Sequence, residues 1–288
     1  MSWLKSRRLH YLTGLTALLF ALFAALRGLF LLGFSAVDSI GEPDVLPTLG
    51  IGLRFDLRLA LLLMLPVGIL LALPKLRLAR FRAMRWLLRG YLVLAVAALG
   101  LLYIIDFGHY AYLGVRLNAT VLRFAGDAQI SAGMLWQTYP VLWITLAWLA
   151  GVALSAWALL RLERATLDRP QAQQVGVLPA LGGAAVVAVL VFFGLLGRAS
   201  ALNLENPVPL RWSDAFYSGN SQVGALGINP ALFLFDTLKL EPAAFDEAAT
   251  REHYEVVADY LGVSERDAQA LNFFRHQPPQ AHRIQAER

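Results

Sequence analysis

The run Gly52-Leu53-Arg54-Phe55-Asp56-Leu57-Arg58 sets three ionisable side chains at the head of an apolar stretch that continues from Leu59 to Leu73, interrupted only by Pro66 and Gly68. Charge at the centre of a membrane span costs on the order of 2.5–3.5 kcal/mol per residue on insertion scales. The cost falls near the interface, where long side chains snorkel. On a helix Arg54 and Arg58 share a face, and Asp56 points away from both. Asp56 therefore needs a partner from another helix, from water or from a ligand. Two arginines on one face can grip a phosphate through paired hydrogen bonds, which makes Arg54 and Arg58 candidates for an anionic lipid headgroup. The plain alternative is a buried ion pair that fixes helix packing, or interfacial snorkelling.

Arg27 is the candidate partner for Asp56. It lies about seven residues from one end of the first apolar run, and Asp56 about five from the corresponding end of the second, so both sit roughly 7–10 Å deep at 1.5 Å per residue. Asp106-Phe107-Gly108-His109-Tyr110 closes the third run on the same side, with Arg116 and Asn118 behind it. One carboxylate and one imidazole are too few for a usual metal site. Asp106, His109 and Arg116 are retained as polar headgroup candidates, against the reading of an interfacial polar cluster. Arg211-Trp212-Ser213-Asp214 and Ser218-Gly219-Asn220-Ser221 add Arg211 and Asn220, against a reading as turn chemistry. Asn118-Ala119-Thr120 matches a glycosylation sequon, a frequent chance match. His253, His276 and His282 have no ligand spacing. There is no Gly-rich phosphate loop, nucleophile elbow or paired-carboxylate motif.

These residues need long apolar elements to carry them. Of the 288 residues 58% are hydrophobic and only 16% charged, and mean hydropathy is +0.56, where a soluble chain carries about a quarter charge. About five segments are long enough for a hydrocarbon core of roughly 20 residues: 11–34, 52–73, 86–106, 138–160 and 178–198. The first is too long for the h-region of a signal peptide. Tyr139, Trp143, Trp148 and Trp157 in the fourth suit an aromatic belt. Lys and Arg alternate by side. Lys5, Arg7 and Arg8 precede the first run; Lys75, Arg77, Arg80, Arg82 and Arg85 lie between the second and third; Arg161, Arg164 and Arg169 between the fourth and fifth. Residues 35–50 have no Lys or Arg, only Asp38, Glu42 and Asp44, and 107–137 have Arg116 and Arg123. The positive-inside rule then puts the N-terminus in the cytoplasm and, after five spans, the C-terminus outside. The basic loops beside spans read as topology and lipid attraction rather than nucleic-acid binding.

The fold class is thus an all-α membrane protein in three parts: a five-helix membrane domain over 1–198, short interfacial helices over 199–244 interrupted by Pro207, Pro209 and Pro230, and an amphipathic helix with a linker over 245–288. Phe245, Ala249, Val256, Val257, Tyr260 and Leu261 form the apolar side of a helix over 245–261 that stops at Gly262. Ser264-Glu265-Arg266-Asp267 has the capping-box pattern of one more helix. Absent cysteine rules out a disulfide framework and a thiolate nucleophile.

This pattern resembles the membrane half of lipoteichoic-acid-synthase-like enzymes, the phosphoglycerol transferases of the sulfatase/alkaline-phosphatase superfamily. The resemblance is carried by Gly52-Leu53-Arg54-Phe55-Asp56-Leu57, by Asp106 to Tyr110 with Arg116 and Asn118, by Arg211-Trp212-Ser213 through Ser218-Gly219-Asn220-Ser221 to Asn229-Pro230, and by Tyr260-Leu261-Gly262-Val263. It implies a multi-pass chain in the cytoplasmic (inner) membrane of a bacterium that presents an anionic phospholipid such as phosphatidylglycerol. The partner it implies is a sulfatase-like catalytic domain, in cis or in trans, holding a Thr nucleophile and a divalent metal, usually manganese. That domain is expected where this chain stops, so no residue here inherits a catalytic or metal-binding role; a fragment and a stand-alone membrane domain both stay open. Two alternatives remain: a non-enzymatic membrane scaffold or assembly partner, and the membrane domain of a phosphoethanolamine transferase. A transporter is disfavoured, because matched broken helices and inverted repeats are missing.

Overall fold

Apolar runs without a turn signal become long helices. In the computed structural model, which describes residues 7–34, 43–72, 82–121, 133, 136–168, 177–197, 209–239 and 246–275, these are α1 (Arg7–Phe34), α2 (Val45–Ala72), α3 (Arg82–Leu113), α4 (Val141–Leu167) and α5 (Val177–Leu196). Short elements follow: a 3-10 turn (Trp212–Phe216), α6 (Ser221–Gly227), α7 (Pro230–Leu238), α8 (Glu247–Glu252) and α9 (Tyr254–Leu261). The chain is all-α; among the described residues an isolated bridge from Asp267 to Asn272 is the extended pairing. Arg7–Phe34, Arg82–Leu113 and Val141–Leu167 are long and apolar enough to cross a membrane, as a membrane protein requires. Lys5, Asp38, Glu42, Lys75, Arg77, Arg80, Arg123, Arg169, Pro207, Phe245 and the tail from His276 lie outside the described residues.

Helix limits differ from the expected spans where polar residues mark the expected ends. α2 begins at Val45 rather than 52, because Pro47 falls in the first turn, where a missing N–H costs nothing. The motif 52–58 is therefore inside the helix, not at its head. Pro66 is also held within α2. α3 runs on through Asp106 and His109 to Leu113. α4 runs on through Arg161, Glu163 and Arg164.

The chain divides into two compact units, 1–239 and 240–288. In the first, α1 packs on α2 and α4, α3 packs on α4, and α5 packs on α2. The stripe Tyr11, Leu15, Leu19, Phe23, Arg27 and Phe30 lines α1 at three- and four-residue spacing, the geometry of one buried helix face. It meets Leu59, Met64 and Val67 of α2 and Leu92, Val96 and Tyr103 of α3. Apolar side chains elsewhere stay exposed, among them Leu94 at 72% and Trp143 at 71% on two of the candidate spans, as on helices that face lipid. Between such helices packing and hydrogen bonds, rather than the hydrophobic effect, drive association. Helix ends are tied accordingly: Arg8 Nη1 donates to the Leu71 carbonyl at 2.7 Å and Arg7 Nη1 to the Leu167 carbonyl at 2.9 Å, each placing a cation at a helix C-terminus.

In the second unit the expected single helix over 245–261 is two, α8 and α9, joined at His253. Its buried side is Tyr254 and Ala258, which pack with Val263, Leu271 and Phe273; Val256 and Tyr260 are exposed, at 73% and 90%. The reason is the Tyr254 hydroxyl, which accepts from Asp267 N at 2.9 Å and donates to the Asn272 carbonyl, turning that side of α9 inward. The same contacts overturn the helix expected from Ser264. Asp267 caps a turn instead, accepting from Gln269 N and Ala270 N at 2.9 and 3.0 Å. Gly262 does end α9, in the left-handed conformation with φ 67° that glycine adopts freely.

Candidate functional site

The ionisable residues of α1, α2 and α3 converge on one buried polar hub. Arg27 and Asp56 form a bidentate pair: Nε donates to Oδ2 and Nη2 to Oδ1, both at 2.7 Å. Their side chains are 6% and 0% exposed. The guanidinium also donates to the Gly52 carbonyl at 3.0 Å, the Ile228 carbonyl at 3.1 Å and the Leu226 carbonyl. A Cβ on Gly52 would fall within the Arg27 guanidinium, so a glycine is needed where α1 and α2 approach.

The acceptors at 226 and 228 belong to the elbow between α6 and α7. There Asn229 serves two purposes. Its Oδ1 accepts from Leu232 N at 3.2 Å, capping α7 ahead of Pro230, and its Nδ2 donates to Asp56 Oδ1 at 2.8 Å and to the Tyr103 hydroxyl at 3.0 Å. Four separate segments are thereby joined through a carboxamide, a carboxylate, a phenol and a guanidinium, all buried. In a low-dielectric interior such bonds strengthen, and any group left unpaired is costly.

A second pair adjoins the first. Asp106 Oδ2 lies 3.1 Å from Arg116 Nη2, with side chains 0% and 4% exposed, and Asp106 Oδ1 accepts from Leu117 N at 2.9 Å. The Arg116 guanidinium stacks 3.9 Å from the Phe30 ring centre and reaches the Ile228 carbonyl at 3.5 Å. Burial pushes the Arg116 guanidinium below its ordinary range, and the Asp106 charge opposes that. Asp106 and Arg116, read in the sequence as headgroup candidates, are thus turned into the protein by their mutual attraction and the Phe30 face.

Arg58 is corrected in the same way. It donates to the Leu210 carbonyl at 2.8 Å and the Leu196 carbonyl at 2.7 Å, clamping the end of α5 and the segment before the 3-10 turn onto α2. Its fork is spent on two main-chain acceptors, the C-terminal carbonyl of α5 at Leu196, which also accepts from Leu210 N, and the Leu210 carbonyl. Asn220 is an N-cap: its Oδ1 accepts from Gln222 N and Val223 N, the turn-chemistry reading. His109 Nδ1 donates to the Val115 carbonyl at 2.9 Å. Of the headgroup candidates, Arg54, Arg211 and the N-cap Asn220 are exposed. Arg54 stands one turn before Arg58, and Arg211 follows the Leu210 carbonyl that Arg58 holds, so the clamp carries both cations. Asn118 and Thr120 bond to each other in a local turn.

Sequence reasoning did not find Asn229, Tyr103 or Glu163 as polar contacts. Asn229-Pro230 carried a signal, the pairing of an N-cap residue with proline at the first helical position. Glu163 stands between Arg161 and Arg164, within a run whose basic residues drew the topology reading. It is 3% exposed, taking Arg89 Nε and Nη2 at 2.7 and 2.9 Å. Arg85 lies 3.5 Å from it and pairs with Asp168 at 2.9 Å.

Among the described residues no three His, Cys, Asp or Glu side chains assemble into a metal-holding group. The architecture is that of an all-helical membrane protein with a charged hub joining its long helices to a capping elbow. Comparison with family models, curated proteins and solved structures gives no match.

Proposed function

We propose that this chain is the membrane anchor and lipid-presenting domain of a phosphoglycerol-transferase-like, sulfatase-type enzyme, acting on anionic headgroups outside the cytoplasmic membrane of a bacterium. In this reading all five long helices span, the N-terminus is cytoplasmic, and the elbow and α6–α7 form a platform at the outer face. The observation that carries it is the Arg58 clamp, which ties the end of α5 and the segment leading to the platform onto α2, with the exposed Arg54 one turn before it and the exposed Arg211 next to the Leu210 carbonyl it holds. Two exposed cations carried by one clamp suit a phosphodiester headgroup. The buried pairs then serve as the rigid support under that surface, and chemistry is left to a catalytic domain in cis or in trans.

Native mass spectrometry of the full chain with phosphatidylglycerol or phosphatidylcholine tests the headgroup assignment. Arg54→Ala with Arg211→Ala is expected to weaken phosphatidylglycerol retention about tenfold, the scale of one charge-assisted hydrogen bond; unchanged retention would count against it. The topology is tested by impermeant thiol labelling of single cysteines, which a chain without native cysteine allows directly. A cysteine at Gly219 is expected to label from outside and one at Arg164 from the cytoplasm; the reverse pattern defeats the reading.

A further inference from the structure

At the end of the bundle remote from the hub, α3 and α4 leave a groove of about 280 Å³ between them. Its α3 wall includes Trp86 and Gly90, its α4 wall Ala156 and Leu160, and its base the Arg89–Glu163 pair. We propose that this groove is a binding site for one anionic phospholipid, with an acyl chain along the groove and its phosphate between Arg82 and Arg164.

Three observations carry it. First, both walls belong to helices long enough to cross a membrane, and none of the most apolar stretch of α4 is buried inside the chain, while Leu159 and Glu163 face inward at the groove. The groove therefore opens sideways, towards acyl chains, and Trp86 at its rim is 68% exposed. Second, its base is closed and neutral. Both Glu163 oxygens are taken by Arg89 and Arg85 stands beside them, so the buried carboxylate neither repels a phosphate nor calls for a cation. Third, each wall continues at the charged end into an exposed arginine. Arg82 lies four residues before Trp86 and Arg164 four after Leu160, so each stands on the same helix face as its wall residue. Both are exposed, and among the described residues neither has a hydrogen bond or ion pair. The first turn of α3 holds no acidic residue to offset Arg82. A lateral apolar slot ending between two uncommitted cations is the complement of a phosphodiester above an acyl chain.

The site is independent of the headgroup surface at Arg54 and Arg211, and the two are told apart by which substitutions remove bound lipid. Gly90 offers a clean way to fill the groove, because a Cβ there meets nothing within 4 Å. Native mass spectrometry of the full chain with phosphatidylglycerol and phosphatidylcholine is the measurement. Gly90→Leu is expected to remove one retained phosphatidylglycerol. Arg82→Gln with Arg164→Gln is expected to reduce the preference for phosphatidylglycerol about tenfold, the scale of a lost charge-assisted contact. Full retention in Gly90→Leu overturns the groove, and unchanged preference in the arginine variant overturns the headgroup assignment. A photoactivatable-acyl phosphatidylglycerol, used on the unaltered chain, needs no variant to fold: adducts concentrated at Trp86–Val93 and Ala156–Leu160 support the site, and adducts spread evenly along α4 and α5 overturn it.

Discussion

Replacing Asp56 by asparagine keeps the shape of the hub and removes its charge. The carboxylate accepts three hydrogen bonds: from Arg27 Nε on one oxygen, and from Arg27 Nη2 and Asn229 Nδ2 on the other. In its better orientation an asparagine keeps its carbonyl towards the last two and turns its amide against Nε, donor against donor at a separation where 2.7 Å is now bridged. Flipping the amide loses the other two instead. Arg27, only 6% exposed, is left charged without its counter-charge. Breaking a buried pair from one side costs about 3–5 kcal/mol, which at 1.4 kcal/mol per decade is on the order of a hundredfold or more in the folding equilibrium. Unfolding of the purified chain in mixtures of mild detergent and dodecyl sulfate, followed by circular dichroism, measures it. A cycle with Arg27→Met should give a coupling of about 1–3 kcal/mol. A loss below about 1 kcal/mol, the size of an exposed pair, or strict additivity in the cycle, would refute the view of the hub as a desolvated pair.

Other perturbations probe separate links. The charge swap Arg27→Asp with Asp56→Arg is expected not to restore stability, because a carboxylate at position 27 cannot donate to the carbonyls of Gly52, Leu226 and Ile228; a swap as stable as the parent would mean those bonds contribute little. Gly52→Ala pushes a methyl into the Arg27 guanidinium and should destabilise by about 1–3 kcal/mol as an overpacked contact, read by the same unfolding assay. Tyr103→Phe deletes one donor-to-hydroxyl bond to Asn229 and should cost about 1 kcal/mol, clearly less than Asp56→Asn. In the second unit, Tyr254→Phe removes the hydroxyl that holds Asp267 and Asn272; faster amide exchange at Asp267, measured by deuterium uptake, is the expected outcome.

How far the sequence reaches can be read residue by residue. Apolar runs without turn signals specify long helices, and the all-α class follows from them. Depth arithmetic put Arg27 and Asp56 at one level, and they are hydrogen-bonded in the structure. What was illegible is who else competes for a polar side chain. Helical phase leaves Arg58 beside Arg54 on one face, yet the carbonyls of Leu196 and Leu210 claim the former, and no local pattern announces a contact across 138 residues. Asp106 looked terminal because charge usually marks a span's end; a second buried charge, Arg116, let the helix continue past it. In α9 hydrophobicity pointed to Val256 and Tyr260, but the hydrogen-bonded phenol of Tyr254 set the inward face. Polar pairing overrode apolar pattern in each case.

The elbow at Leu226–Asn229 also sets an order of events during synthesis. Asp56 and Asn229 are 173 residues apart, so at 5–20 residues per second the ribosome adds the missing partner on the order of ten to thirty seconds after Asp56. Until then Arg27 and Asp56 can meet, but Arg27 lacks the Leu226 and Ile228 carbonyls and Asp56 lacks the Asn229 amide. Until it arrives the pair formed by the first two helices stays incomplete, and one of the last pieces of the unit to be translated is the one that closes it. A chain truncated before the elbow would therefore hold a half-satisfied charge in its interior and be a natural target for membrane quality-control proteases.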